Sequence, residues 1–202
     1  MNFKKKSGLF VVIGIVAVVA IMASSAVSSY NRLVDLDEQV SSQWAQVENQ
    51  YQRRFDLIPN LVSTVKGYAT HEESVLAQVT EARSKLGGVV SIDDSLLTDE
   101  AKFREFQKMQ DTLGGALQRL LSVTENYPQL QANQNFLALQ DQLEGTENRI
   151  SVERKRFNEV VQLYNSTIRK FPGALLAKIA GFQGRPYFTA AEEAQSAPKV
   201  EF

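Results

Sequence analysis

The chain has no cysteine and a single histidine, His71, in 202 residues. Without cysteine there are no disulfides, no thiolate chemistry, no cysteine-ligated metals and no lipoprotein-type lipid attachment. One histidine excludes a multi-histidine metal site within one chain. His71-Glu72 begins like a zincin helix, but Val75 stands where the second histidine belongs. Ferritin-like di-iron sites need Glu-x-x-His on two helices, so His71 reads as a helix-surface residue. A Gly-x-Ser-x-Gly elbow is missing, and Gly87-Gly88 and Gly114-Gly115 lack the Lys-Ser/Thr of a phosphate loop. The second glycine pair reads instead as a close helix approach or a kink. Neither charge dominates, with 22 Lys plus Arg against 23 Asp plus Glu and no basic stripe, which argues against nucleic acid. Strand-like alternation is also absent. These absences predict an all-α protein that is not an enzyme and carries no cofactor or metal.

What the chain does have is an uncharged run over residues 8–27, preceded by Lys4, Lys5 and Lys6. About 20 helical residues cover the roughly 30 Å of a bilayer's hydrocarbon. A cleaved signal also begins with lysines and an apolar run, but its apolar region is usually about 7–15 residues, shorter than this one. A retained transmembrane helix is the expectation. Beyond it, Arg32 stands amid Asp35, Asp37 and Glu38, so the positive-inside rule keeps residues 1–7 in the cytoplasm. The remainder is then extracytoplasmic, on a single-pass protein of the inner (cell) membrane.

Past the span, Leu33, Leu36, Val40, Trp44, Val47, Tyr51, Phe55, Ile58, Val62 and Val65 recur at threes and fours, one face of an amphipathic helix. The series continues through Val75, Val79 and Leu86 to Gly87-Gly88. Pro59 interrupts it at a cost of about 3 kcal/mol if the helix runs through. The continuing phase favours a kinked helix. Lengths favour a break into 28–55 and 59–86, each about 28 residues or about 42 Å. In that case Asp56 caps the second piece and Pro59 sits in its first turn. Residues 87–97 read as a surface loop. A third helix starts at Thr98-Asp99-Glu100 and ends before Asn126-Tyr127-Pro128. A fourth runs from Leu130 to Phe171, stopped by Pro172-Gly173. Short loops between antiparallel neighbours predict an up-and-down antiparallel four-helix bundle over residues 28–173. Helix counting returns Phe171 to the bilayer. The tail, 174–202, contains Ala174 to Phe182 and Tyr187-Phe188, with two readings: it rests at the membrane interface, or it covers the open end of the bundle.

Arg53-Arg54-Phe55-Asp56-Leu57-Ile58-Pro59-Asn60 is the densest polar cluster. Paired arginines beside Asp56 and Asn60 suit a carboxylate, phosphate or lipid head group. The preferred reading is structural, with one arginine paired to Asp56 or to a carboxylate on another helix, because polar networks often fix register in bundles. Tyr30-Asn31 and Tyr164-Asn165 repeat a dipeptide near the membrane end, suggesting a hydrogen-bonded asparagine layer.

The chain resembles the LemA family of bacterial membrane-anchored helical proteins. Five ordered blocks carry the resemblance: residues 53–62, beginning Arg53-Arg54-Phe55-Asp56; 65–72, ending Thr70-His71-Glu72; Glu125-Asn126-Tyr127-Pro128; 132–136, beginning Ala132-Asn133; and Tyr164-Asn165 through Phe171-Pro172-Gly173. The resemblance implies a four-helix bundle behind one span and no enzyme. Descriptions of the family sometimes put the N-terminus outside, against the lysines of this sequence. It also implies work beside membranes, since some relatives belong to membrane-remodelling organelles and others are linked to membrane-stress proteases. The leading expectation is a non-enzymatic scaffold or adaptor partnered by the lipid bilayer, by copies of itself as a homo-oligomer and by other membrane proteins. The alternative is an accessory or substrate-presenting subunit of a membrane protease or stress system. Hydrolytic chemistry is disfavoured because no catalytic constellation is present.

Overall fold

A computed structural model describes residues 3–69, 71–87 and 94–189, with side-chain detail from Val12 onward. The cytoplasmic placement of residues 1–7, most of the loop 87–97 and the tail from residue 190 therefore lie outside the described side chains. The described residues form six α-helices, one 3-10 turn and no strand.

Helix α1, Phe3–Lys66, is 64 residues long and contains both the apolar run and the amphipathic segment without interruption. Its first part has mean hydropathy 2.2 and is not buried against any part of the protein, which suits a helix that crosses a membrane. Its second part buries Leu33, Leu36, Val40, Trp44, Val47, Tyr51, Ile58 and Val65 of the face drawn by the sequence periodicity, with Leu61 buried in addition and Phe55 and Val62 only partly buried. From residue 28 to Lys66 it rises about 58 Å at 1.5 Å per residue.

The helix neither breaks nor ends at Pro59. Proline has no N–H for the carbonyl of Phe55, four residues back. Arg83 of α2 supplies a donor instead, Nε to the Phe55 oxygen at 3.4 Å, with its guanidinium 4.0 Å from the centre of the Phe55 ring. The chain turns later, after Lys66, where the Tyr68 and Ala69 amides both bond the Val65 carbonyl. His71 is exposed in this turn rather than on a helix surface. Helix α2 is accordingly short, Glu73–Gly87, and the matched pieces 28–55 and 59–86 do not exist. The apolar phase runs through the turn, so periodicity alone could not locate it.

Leu96 and Leu97, assigned to a surface loop, belong to the 3-10 turn Asp94–Leu97 and are buried. Helix α3, Glu100–Thr124, opens at Asp99, whose carboxylate accepts from the Ala101 and Lys102 amides. One turn, α4 (Pro128–Gln131), precedes α5, Gln134–Arg169, which Asn133 caps in the same way. After a corner, α6, Gly173–Ala180, packs on α1 and α5. The corner is close: a Cβ on Gly173 would lie 2.3 Å from the Thr167 carbonyl oxygen.

The body of the fold is an antiparallel α1–α5 pair with the α2–α3 hairpin laid against it. The described residues are all-helical, but in six helices of unequal length instead of the expected four matched ones, and α2, with only 15 residues, flanks only the half far from the span. There Ile58, Leu61, Val79, Leu120, Leu130 and Phe136 form an aliphatic core. Towards the span, the core is aromatic: Trp44, Phe103, Phe106, Phe157 and Tyr164, joined by Phe188 from the C-terminal segment. The non-helical stretch 182–189 stands beside α1, α3 and α5 where α2 does not reach. The tail thus divides: Phe188 is buried, whereas Leu175 and Ile179 of α6 are exposed.

Candidate functional site

Two polar assemblies are built into this frame. The first sits between the two cores. Arg54 is 3% exposed and donates from Nη1 to Glu147 of α5 at 2.7 Å, while Nη2 bonds both the side-chain oxygen and the carbonyl of Gln110 on α3. Gly114 faces it, with room for a Cβ 3.8 Å from Nη1. Three helices are therefore tied at one level. Glu147 is half exposed, so the pair keeps contact with water and avoids the full desolvation cost of a buried ion pair. The other residues of the motif point elsewhere. Arg53, Pro59 and Asn60 are exposed, and Asp56 is exposed and accepts from Gln52 at 2.7 Å. The arginine pair does not converge on one ligand. The shallow cleft beside it, lined by Tyr51, Phe55 and Phe106 among others, has a volume of about 30 Å³, room for about one water.

The second assembly surrounds residues 183–189. Asn165 donates to the Arg185 carbonyl at 2.8 Å and accepts the Arg185 amide at 2.9 Å. Asn158 does the same for Phe188, at 2.9 Å in both directions. Gln107 of α3 does it for Thr189, at 2.6 and 3.2 Å. Tyr164 donates its hydroxyl to the Gln183 carbonyl at 2.9 Å. Burial, reinforced by the nearby Asp37 carboxylate, pushes the Tyr164 phenol up to about 12.

Two side chains of the segment are also held. Arg185 pairs with Asp37 of α1 at 2.7 Å. The Phe188 ring lies 4.8 Å from Phe103, 5.5 Å from Phe157 and 6.0 Å from Trp44, with the Arg154 guanidinium 4.9 Å from its centre. Arg154 is itself fixed by the Tyr51 hydroxyl at 2.6 Å and by Asp111 at 3.0 Å. Burial raises the Tyr51 phenol above its ordinary range, against the opposing pull of Arg154.

Of the candidates read from sequence, the structure brings Tyr164 and Asn165 together here and leaves the Arg53–Asn60 cluster elsewhere. The expected asparagine layer is absent: Asn31 is exposed, and Tyr30 stacks edge-on against Phe182 at 6.0 Å. Sequence reasoning missed Gln107, Asn158 and Asp37, and it singled out Arg185 and Phe188 only as part of a tail that rests on the membrane or covers the bundle. One signal was available, because Phe157-Asn158 and Tyr164-Asn165 repeat an aromatic-asparagine pair seven residues, or two turns, apart.

Other family-like blocks meet at the far end of the bundle. Tyr68 accepts from Asn133 at 2.8 Å, and Tyr127 donates to Glu72 at 3.0 Å, joining the α1–α2 turn to the α3–α5 connection. Among the described residues no group of three or more His, Cys, Asp or Glu is placed to hold a metal ion.

Residues 43–202 match the model of the LemA family. A magnetosome protein MamQ 2 of Paramagnetospirillum magneticum is 29% identical over 196 residues, covering 88% of this chain and 70% of the relative. The magnetosome protein MamQ of Magnetospirillum gryphiswaldense is 27% identical over 199 residues, covering 89% and 71%. Protein LemA of Metamycoplasma hominis is 24% identical over 141 residues, covering 70% and 60%.

Proposed function

The chain belongs to the LemA family, and from that premise we propose that it is a non-enzymatic, membrane-anchored scaffold whose bundle stands on the bilayer at two points. The first point is the apolar start of α1. The second is the corner at the other end of the fold's path, and it carries the proposal. Phe171 is 87% exposed, Leu175 57% and Ile179 74%, with Lys178 between them. Leu175 and Ile179 are one helical turn apart on the side of α6 opposite its buried Ala177. Large apolar side chains clustered on a soluble surface mark an interaction site. This cluster lies beside the foot of the bundle, where Phe182 meets Tyr30 three residues beyond the apolar run. A short helix with an apolar outer face and a lysine suits the head-group boundary. The relatives that are magnetosome proteins support a membrane-associated role.

The test uses the absence of cysteine. Full-length protein carrying Ile179→Cys, labelled with an environment-sensitive dye and placed in lipid vesicles, should show blue-shifted emission that nitroxide lipids quench. The exposed distal position Gln78→Cys should show neither. Equal, water-like emission at both sites rejects the second foot. Topology is tested separately by a C-terminal reporter, expected to be active outside the cytoplasm.

A further inference from the structure

A side-chain amide that donates to a carbonyl and accepts from the same residue's N–H treats a peptide as a neighbouring strand would. Three such amides, Asn165, Asn158 and Gln107, grip Arg185, Phe188 and Thr189. They come from two helices and read only backbone. Sequence is read at two places: Asp37 takes the Arg185 guanidinium, and an aromatic cage closed by Arg154 takes the Phe188 ring. Backbone hooks for affinity and spaced side-chain pockets for choice are the parts of an extended-peptide receptor.

We propose that this groove is such a receptor, held in cis by its own strap, and that it exchanges that strap for the same segment of a second copy. Three observations select that occupant. The chemistry required is an extended peptide with an arginine and, three residues later, a phenylalanine, and Arg185-Pro186-Tyr187-Phe188 supplies it on every copy. The strap is not packed on all sides: a cleft of about 590 Å³, lined by Thr98, Arg104, Arg169 and Tyr187 among others, runs along it. It also leaves α6 through Gly181, whose φ of 80° is a conformation that glycine adopts without strain. Exchange between copies preserves every contact, so its thermodynamic cost is low. A further argument rests on the proposed membrane anchoring. Copies held in one bilayer by the same helix present groove and strap at a common height, and confinement raises their effective concentration.

The test is charge complementation in the full-length protein, reconstituted in vesicles with two different tags. Asp37→Arg and Arg185→Asp each destroy the ion pair, whether within a copy or between identical copies. Mixed together, an Asp37→Arg groove can receive an Arg185→Asp strap only in trans. Capture through one tag should recover the other at least tenfold better from the mixed variants than from either variant alone. Phe188→Ala in all copies should abolish co-capture of wild-type tags, and a synthetic peptide of residues 183–189 should compete with it. No gain in the mixture overturns exchange, whether or not the double variant Asp37→Arg/Arg185→Asp recovers wild-type thermal stability. Co-capture that persists with Phe188→Ala on every copy overturns it too, by assigning association to another surface. Flotation of the same vesicles reads the anchor independently: a protein that complements but does not float refutes the membrane proposal and leaves exchange standing.

Discussion

Replacing Phe188 by alanine removes the buried aromatic side chain that the 182–189 segment places in the bundle core. The ring is 7% exposed and contacts three aromatic rings and one guanidinium. A buried Phe→Ala change costs about 3–5 kcal/mol if the surroundings stay in place and a cavity remains. The strap has another option, because it is otherwise held by the Arg185–Asp37 ion pair and by hydrogen bonds worth about 0.5–1.5 kcal/mol each. If those bonds hold, the full cavity cost appears and Trp44 stays dry. If they release, the loss is smaller, and Trp44, now 4% exposed, meets water. Trp44 is the only tryptophan, so urea unfolding of the full chain in mild detergent, followed by its fluorescence, reports both quantities. The expected outcome is a loss above 2 kcal/mol, on the scale of about 3–5 for buried phenylalanines, or a smaller loss with a red-shifted native emission. Tyr187→Ala, at the exposed neighbouring side chain, should stay within about 0.5 kcal/mol of wild type. A Phe188→Ala protein losing less than about 1 kcal/mol with unshifted native emission would refute the docked strap.

Three further predictions follow from the same structure. Pro59→Ala restores a donor to the Phe55 carbonyl and should stabilise, by up to the roughly 3 kcal/mol that proline costs inside a helix; in that background Arg83→Ala should cost about 0.5–1.5 kcal/mol less than in wild type, the worth of its hydrogen bond in a double-mutant cycle. Gly173→Ala puts a Cβ 2.3 Å from a backbone oxygen and should lower Tm and detach α6, read as increased proteolysis between α5 and α6, whereas Gly115→Ala, with open space around it, should stabilise by about 0.5–1 kcal/mol. Stability should fall with rising alkalinity: the Tyr164 phenol titrates near 12 when folded and near its ordinary 10 when unfolded, so its contribution is complete below pH 10 and is lost as pH rises towards 12, by up to about 1.4 kcal/mol per unit. Tyr164→Phe should flatten that slope in equilibrium unfolding measured at several pH values.

The elements legible in the sequence were those whose cause is local. The stripe from Leu33 to Val65 is buried at most of its expected positions, because burial there follows helical phase; Phe55 and Val62 are only partly buried, and Leu61 takes the buried place beside Val62. The start of α3 at Thr98-Asp99-Glu100 was likewise readable, since a helix start is signalled within a few residues, although the cap falls on Asp99, the first of the acids. Pro59 left a continuous helix and a break both open, because its tolerance depends on Arg83, 24 positions away, closing over Phe55. The true turn had weaker local marks, Gly67 and the residues around His71, and no change of apolar phase. The strap was least legible. Gln107 meets Thr189 across 82 positions and Asp37 meets Arg185 across 148, distances over which no periodicity carries information. Arg54 was intermediate: its burial suited the expectation of a carboxylate partner on another helix, but the choice of Glu147 and Gln110 required the fold.

The continuity of α1 has a mechanical consequence. A helix that passes from its apolar run to Lys66 with no intervening loop has no joint at which the bundle can pivot, and Pro59 lies far above the base. A span tilted by about 20°, an ordinary value for single helices, therefore swings the distal turn sideways by about 20 Å on its lever arm of about 58 Å. A change in that tilt, from whatever source, would in this way move the Tyr68–Asn133 and Glu72–Tyr127 junctions. A Gly-Ser insertion after Val27 would disconnect the lever, leaving anchor and bundle intact but mechanically independent.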